Sequence, residues 1–286
     1  MSDMTKQIRL CALDVDGTLI QSDLKLTDAV VRAVDSLRDA GIVPAIVTGR
    51  TDRELAFLKP RLPYLRYFAV SNGARVYDAA NGETFYQNLL PLTLARQVVE
   101  QASAYDIMME IYADGVSFVD AAAWEAPGRY GCAFLKDPSL GEARIPVGDP
   151  LAFLNRRDAD VDKLYISFRN GSDLQKLEAF CRKLPVDLTT SIHNGLEVNA
   201  RGVQKSAGLN ALCTRLGIAP EETAALGDGL ADVSMLHFSG FAVAMGSAGE
   251  TLRAEADWIA PDCNHDGAAR AIEKILERAG LSGKSI

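Results

Sequence analysis

An α/β fold, a doubly wound parallel sheet carrying an inserted α+β domain, is predicted by three observations on this 286-residue chain. Short apolar runs alternate with amphipathic helical stretches at both ends of the sequence. The middle third breaks that alternation. Several of the short apolar runs stop abruptly at polar residues of a chemically useful kind.

The run Ile8–Leu13 reads as a first strand, ending in "DVDGT". Asp28–Ala40 reads as a helix, with Val30, Val34 and Leu37 on one face and Gly41 as its stop signal. Ile42–Val47 is a second strand and leads into "TGR" at Thr48. Pro44 inside it implies a start of the ladder or an unmade hydrogen bond. Phe68–Val70 is a third short run, followed by "SNGARVYD". In the last third, helix Gln204–Leu216 closes at Gly217, strand Thr223–Leu226 ends in "GDG", and helix Ala231–Phe238, strand Phe241–Met245 and helix Gly267–Ala279 follow. Strand–helix alternation of this kind gives a parallel sheet with helices on both faces, a Rossmann-like core. Between the halves lie a hairpin signal ("DAANGETF"), helix Thr93–Ala104, and candidate strands at Met108–Tyr112, Ser117–Val119, Lys163–Phe168 and Val186–Thr190. Helix Ser172–Leu184 and a loop-rich stretch, Ala126–Pro150, complete this region. The expected organisation is a discontinuous core, 1–83 and 190–286, around an α+β insertion at 84–189.

Composition narrows the function. The chain is 48% hydrophobic and 24% charged, with a net charge of −8, as in a globular protein without an electrostatic case for nucleic acid. Five scattered cysteines, Cys11, Cys132, Cys181, Cys213 and Cys263, show no metal-ligand or CxxC spacing, so they are expected reduced and mostly buried in a cytoplasmic protein. No stretch has the roughly 20 apolar residues that span a bilayer, and no signal-peptide core is present at the start. No partner is implied beyond a small ligand and, at most, a second copy: monomer or homodimer.

In open parallel sheets ligands bind beyond the carboxyl ends of the strands. The first strand presents Asp14 and Asp16 there, the second Thr48, Gly49 and Arg50, and a later one Asp228, with Asp232 four residues on. Lys205 lies at the start of the preceding helix. Residues two apart on a strand face alike, so Asp14 and Asp16 reach one point if extended geometry continues. Close carboxylates repel and are expensive to bury unpaired. Hard oxygen ligands resolve this with Mg²⁺. Thr48, backbone N–H groups and Lys205 supply donors for an anion, and the set describes a phosphoryl-transfer site. Each piece alone has an ordinary reading as a turn, a cap or a solvated charge; their joint occurrence, in order and at strand ends, carries the argument.

These stretches resemble the haloacid dehalogenase-like superfamily, specifically its Cof-type (subfamily IIB) phosphatases with a large C2-type α+β cap. "LDVDGTLI" is similar to the first motif, "IVTGR" to the second, "RGVQKSAGLNAL" to the third and "ALGDGLADVSML" to the fourth; "SNGARVYD", "VAMGSA" and "ADWIAPDCNHDGAAR" fit the same branch. The resemblance implies that Asp14 is the nucleophile forming an aspartyl-phosphate. It implies that Asp16 is the general acid and then the base, and that Mg²⁺ sits on Asp14, the Asp16 carbonyl and Asp228. Thr48 and Lys205 would bind phosphoryl oxygens, Gly17 and Gly49 would contribute close backbone, and Asp232 would orient Lys205 or a metal-bound water. Arg50 and Asn72 are candidate substrate contacts, with a surface ion pair and an ordinary Asn-Gly turn as their alternatives. The fourth motif departs from the usual GDGxND, with Ala231 at the Asn position; losing such a donor costs on the order of tenfold to a few hundredfold in rate. Ser247 likewise replaces an Asn. The expected activity is Mg²⁺-dependent hydrolysis of a small phosphorylated metabolite, foremost a sugar phosphate. A phosphohexomutase-type transfer and a catalytically weak metabolite binder are the alternatives. His193, His237 and His265 have no role in this chemistry. Trp124, Arg129 and Tyr130 could line a specificity pocket or pack the cap, and Glu197 and Asn199 could reach the substrate or be structural.

Overall fold

The structure is a computed structural model that describes residues 7–136, 143–191 and 194–281; His193 lies outside them. The described residues form fourteen strands, numbered here in chain order, in two sheets. They divide into two compact units: one of 1–49, 58–86 and 204–286, the other of 50–57 and 87–203.

The first unit holds an eight-stranded sheet. Its strands are β1 (Leu10–Leu13), β2 (Val43–Val47), β3 (Tyr67–Val70), β4 (Arg75–Asp78), β5 (Glu83–Gln87), β12 (Thr223–Gly227), β13 (Phe241–Ala244) and β14 (Trp258–Ile259), in the order β14-β13-β12-β1-β2-β3-β4-β5. All pairs from β14 to β3 are parallel, and β4 runs antiparallel to β3. The chain steps one way from β1 through β2 and β3 and the other way from β12 through β13 to β14. The boundary between β1 and β12 is therefore the topological switch point, where such sheets bind ligands. β1 is fully buried and apolar on both faces, as a central parallel strand must be. Pro44 pairs with Cys11, and the ladder to β3 begins only at Ala45–Tyr67. Its missing N–H therefore breaks no bond to β3.

The helices follow from their signals. Thr27 caps Asp28–Asp39 by accepting from the Val30 N–H, and Val30, Ala33, Val34 and Leu37 form its buried stripe. Lys205–Leu216 ends at Gly217 in the left-handed conformation. That helix lies against the end of β3: a Cβ on Gly208 would sit 2.9 Å from both the Ala69 Cβ and the Gly73 Cα. Two glycines thus let the helix that begins with Lys205 approach the sheet.

The second unit holds a six-stranded sheet, order β10-β11-β9-β6-β7-β8. Its strands are β6 (Ile107–Ala113), β7 (Val116–Asp120), β8 (Arg144–Val147), β9 (Lys163–Phe168), β10 (Val186–Ser191) and β11 (Gly195–Ala200). Only β7–β8 is parallel. β8 emerges from the stretch read as loop-rich. β11, which pairs with both β9 and β10, draws 195–203 into this unit, and the short segment 50–57 belongs to it as well. The registers place Glu110, Tyr112, Ser117, Arg144, Lys163, Glu197 and Asn199 on one face of the sheet. Ile111, Leu164, Ile166, Leu196 and Val198, all buried, take the other.

All five cysteines are buried and in the thiol form. Among the described residues no helix is long and apolar enough to cross a membrane.

Candidate active site

The register of the core sheet assembles the site. Leu13 pairs with both Leu226 and Ile46, so the residues after β1, β2 and β12 leave the sheet side by side. Asp14 continues that alignment by donating its N–H to the Leu226 carbonyl at 3.2 Å. The residue is 4% exposed and its Oδ1 accepts from Lys205 Nζ at 2.6 Å. The same ammonium donates to Asp232 Oδ1 at 2.5 Å. The other oxygen of Asp232 accepts the N–H groups of Asp228 and Gly229, at 3.0 and 2.9 Å. Asp232 therefore orients Lys205 and shapes the loop that carries Asp228. Gly227 makes this possible, since a Cβ there would lie 2.4 Å from the Asp232 Cβ.

The carboxylates of Asp14, Asp228 and Asp232 each offer an oxygen within 4.8 Å of the others. Three acids face one ammonium. Burial, then Asp232, hold Asp14 well above the ordinary carboxylate range despite Lys205, with Asp228 and Asp16 adding to the effect. Burial and Asp232 push Asp228 up to about 6. Burial alone would lower Lys205, but Asp14 and Asp232 more than offset it and keep the amine cationic. The protein thus concentrates negative charge that it does not itself neutralise. A hard divalent cation fits that donor set.

Asp16 differs from the strand-based expectation. Extended geometry stops at Leu13, and the Val15 carbonyl accepts from Thr18, Leu19 and Ile20 in a tight turn. Asp14 is consequently buried while Asp16 is exposed, yet Asp16 still raises both Asp14 and Asp228 electrostatically. Gly17 takes φ +70°, and a Cβ on it would lie 2.1 Å from Asp228 Oδ2. The turn can approach the third carboxylate only without a side chain. Thr18 Oγ1 is buried there without a hydrogen-bond partner.

Thr48 is buried and follows β2 directly; its N–H donates to the Ala69 carbonyl and its own carbonyl accepts from Asn72, both at 2.9 Å. Gly49 ends this segment of the first unit. Asn72 is buried at φ 61°, between Ser71 and Gly73, which also have positive φ. Three consecutive left-handed residues are a strained arrangement of the kind found at functional sites. Arg50 lies in the second unit, where its guanidinium donates to the Glu54 carbonyl at 3.1 Å and sits 5.3 Å from the Phe57 ring centroid. Ala231 is part of the short turn Leu230–Asp232.

A family model for haloacid dehalogenase-like hydrolases matches residues 11–272. The chain belongs to that family. Its motifs place this haloacid dehalogenase-like hydrolase in the Cof-type branch. It is 27% identical over 265 residues to the 5-amino-6-(5-phospho-D-ribitylamino)uracil phosphatase YcsE of Bacillus subtilis, covering 93% of this chain and 94% of that one. It is 26% identical to the pyridoxal phosphate phosphatase YbhA of Escherichia coli K12, covering 94% and 98%. A haloacid dehalogenase-like hydrolase from Bacteroides thetaiotaomicron superposes with a TM-score of 0.82 at 27% identity, covering 94% of this chain and all 100% of that one.

Other residues singled out by sequence have structural partners. Arg129 and the Tyr130 hydroxyl both donate to Asp106, and Lys136 lies over the Trp124 ring. Glu197 accepts from the buried Lys163 at 2.7 Å. His237 and His265 pair with Glu255 and Asp262 at the surface. Sequence reasoning missed the buried charges Glu54, Glu110, Arg144 and Lys163 of the second unit. Their available signal was a polar residue at every second position of otherwise apolar runs such as "MEIYA" and "KLYISF".

Proposed function

We propose that this hydrolase is a Mg²⁺-dependent phosphatase of small phosphorylated metabolites, working through an aspartyl-phosphate on Asp14, with a phosphorylated sugar or sugar alcohol as its substrate. Its class, phosphoric monoester hydrolase, rests on family membership and on relatives that are phosphatases. The observation that carries the mechanism is the buried Asp14 held by Lys205 at 2.6 Å, beside Asp228 and Asp232, at the switch point of the sheet. The ribityl phosphate group in the name of YcsE's substrate supports a polyol-like leaving group.

Asp14 is the nucleophile, because a carboxylate splits ester hydrolysis into two easier steps. The exposed Asp16 protonates the departing alkoxide and then takes the proton of the attacking water. Lys205 and Thr48 bind phosphoryl oxygens, and Asn72 adds a contact to the substrate. Asp14, Asp228 and the Asp16 carbonyl would hold Mg²⁺, which supplies positive charge against the phosphoryl oxygens. Asp232 keeps Lys205 in place and charged.

Phosphate release from a panel of sugar phosphates, pyridoxal phosphate and other phosphomonoesters, with and without Mg²⁺, tests this. Mg²⁺-dependent release that falls by on the order of a thousandfold or more in Asp14→Asn is expected. A folded wild-type protein that releases nothing across the panel would refute the phosphatase. Activation by a bisphosphorylated sugar, with isomerised rather than hydrolysed product, would identify a mutase instead.

A further inference from the structure

Two loops of the first unit, one after β1 and one after β14, are joined by side chains that the proposed chemistry does not use. Asn264 lies between β14 and the helix Gly267–Arg278. Its Oδ1 accepts both the N–H and the hydroxyl of Ser22, at 3.1 and 2.9 Å, and its carbonyl accepts from Gln21 Nε2 at 3.3 Å. Two residues on, Asp266 Oδ1 accepts from the Thr27 hydroxyl at 2.7 Å. The loop Gln21–Thr27 is thereby clasped at both ends from one segment. Stability does not explain the clasp. Ser22 and Asn264 are exposed, and bonds between exposed groups replace bonds to water with little net gain. What they supply is position.

The clasping segment is itself fixed. Asp262 Oδ1 accepts the Asn264 N–H at 2.9 Å, and the Asp262 carbonyl accepts the N–H groups of His265 and Gly267, both at 3.1 Å. A Cβ on Gly267 would lie 2.0 Å from the Pro261 carbonyl oxygen, so backbone packs on backbone here. The segment is also tied to the loop of Asp228. The Pro261 carbonyl accepts from the Gly246 N–H at 3.3 Å, and the neighbouring Met245 N–H donates to the Gly227 carbonyl at 2.9 Å. The clasped loop, in contrast, has a conformation that needs holding. Leu24 takes φ 65°, a left-handed backbone that a leucine keeps only where its surroundings impose it. Upstream, Asp16 pairs with Ile20 in a single parallel bridge, and Ile20 leads directly into Gln21. The turn that carries Asp16 and the clasped loop are one continuous stretch of chain.

We propose that Asn264 is a positioning residue for the reaction: by clasping Ser22 it sets the turn from which Asp16 protonates the leaving oxygen. This rests on the reading of Asp16 as the general acid. An alkyl phosphate needs a proton on its departing oxygen, whereas p-nitrophenolate leaves without one. A misplaced Asp16 therefore slows the first ester and spares the second, which a general loosening of the fold does not do.

The test compares kcat/KM, in Mg²⁺, for the best alkyl phosphate of the panel and for p-nitrophenyl phosphate. The variants are Asp16→Asn, Asn264→Ala, Asn264→Asp, Ser22→Ala and the double variant Ser22→Ala/Asn264→Ala. Melting curves and far-ultraviolet dichroism establish folding in each. Asp16→Asn sets the scale, lowering the alkyl ester by about a hundredfold or more and the aryl ester far less. In Asn264→Ala the alkyl ester should fall about tenfold and the aryl ester less than about threefold. Asn264→Asp keeps an oxygen for both Ser22 donors and should recover most of that loss. Ser22→Ala removes one of the two donors and should cost the alkyl ester about threefold. It should add nothing to Asn264→Ala in the double variant, because both act through one contact. The same selective loss in Ser22→Ala carries the test if Asn264→Ala does not fold. Equal losses on the two esters in a folded Asn264→Ala, or no loss, would overturn the proposal, as would additive losses in the double variant. A wild type that hydrolyses neither ester refutes the phosphatase, and equal losses in Asp16→Asn refute the general acid. Either result removes the positioning role with it, and the two controls separate both from a failure of the proposal alone.

Discussion

At the scale of single residues, the site is defined as much by atoms that are missing as by charges that are present. Gly17 combines φ +70° with a phantom Cβ 2.1 Å from Asp228 Oδ2. Replacing it with Ala forces either the turn or the Asp228 carboxylate to move. A displacement of about 1 Å at a reacting centre can cost on the order of a hundredfold in rate. Gly17→Ala should therefore lower kcat/KM by about a hundredfold and weaken the dependence on Mg²⁺, with a stability loss of roughly 1–2 kcal/mol from the left-handed backbone. Steady-state kinetics against Mg²⁺ concentration and a denaturant titration read the two effects; wild-type kcat/KM in the variant would mean that Asp228 is not constrained by the turn. Sequence alone pointed to Asp14, Lys205, Asp228 and Asp232, which the structure brings together. It did not reveal that Asp14 and Asp16 separate into a buried and an exposed carboxyl. That division depends on a turn closed by the Val15 carbonyl, whose geometry follows from the packing of the loop and not from a two-residue alternation.

At the scale of elements, the β3–β4 hairpin shows how a structural acid differs from those of the candidate site. Arg66 Nε and Nη2 both contact Asp78, at 2.6–2.8 Å, and the Ala80 N–H donates to the same carboxylate at 3.0 Å. Asp78 is buried at its side chain while Arg66 is half exposed. The Arg66 hydrogen bonds, aided by the Ala80 N–H, hold Asp78 below the ordinary carboxylate range. The unfolded chain then binds this proton more tightly than the folded one. The stabilisation is complete above the unfolded carboxylate pKa and is lost as the pH falls through the lower folded value. Asp78→Asn should flatten the acid limb of the stability–pH curve below about pH 4 relative to wild type. Urea melts from pH 3 to pH 7 measure this, and parallel acid limbs in the two proteins would exclude the contribution. Strands were legible where runs were apolar and uninterrupted, as in β1, β2 and β12. β8 escaped because "RIPV" is short and contains a proline, whereas β11 carried the alternation of a strand in "LEVNA" and was overlooked. Both strands carry their polar residues on the face that also holds Glu110 and Lys163, and that burial of charge is what a hydrophobicity pattern is blind to.

At the scale of the molecule, two compact units arise from five stretches of chain that alternate between them. The last stretch of the first unit begins at Gln204, where strand–helix alternation resumes in the sequence. The share of 50–57 was not legible, because its allegiance rests on side-chain contacts such as Glu54 with Arg144. The first unit carries the cost of its buried acids. Asp14 is held well above its ordinary range and Asp228 at about 6, by burial and by neighbouring acids. For such groups the folded state binds the proton more tightly than the unfolded chain. For Asp228, stability therefore falls as pH rises from about 4 through 6, and its penalty is fully present above that. For Asp228 it is on the order of 1–3 kcal/mol. A bound cation reverses the sign, adding RT ln(1 + [Mg²⁺]/Kd) to the folded state. At pH 8 in chelator, Asp228→Asn should thus be more stable than wild type by about that 1–3 kcal/mol. The difference should shrink toward zero near pH 4, and saturating Mg²⁺ should raise the melting temperature of wild type but not of the variant. Melting curves at the two pH values, with chelator and with Mg²⁺, decide it. A variant no more stable than wild type in chelator at pH 8 would show that Lys205 alone neutralises the acids; an equal Mg²⁺ shift in both proteins would remove Asp228 from the cation site.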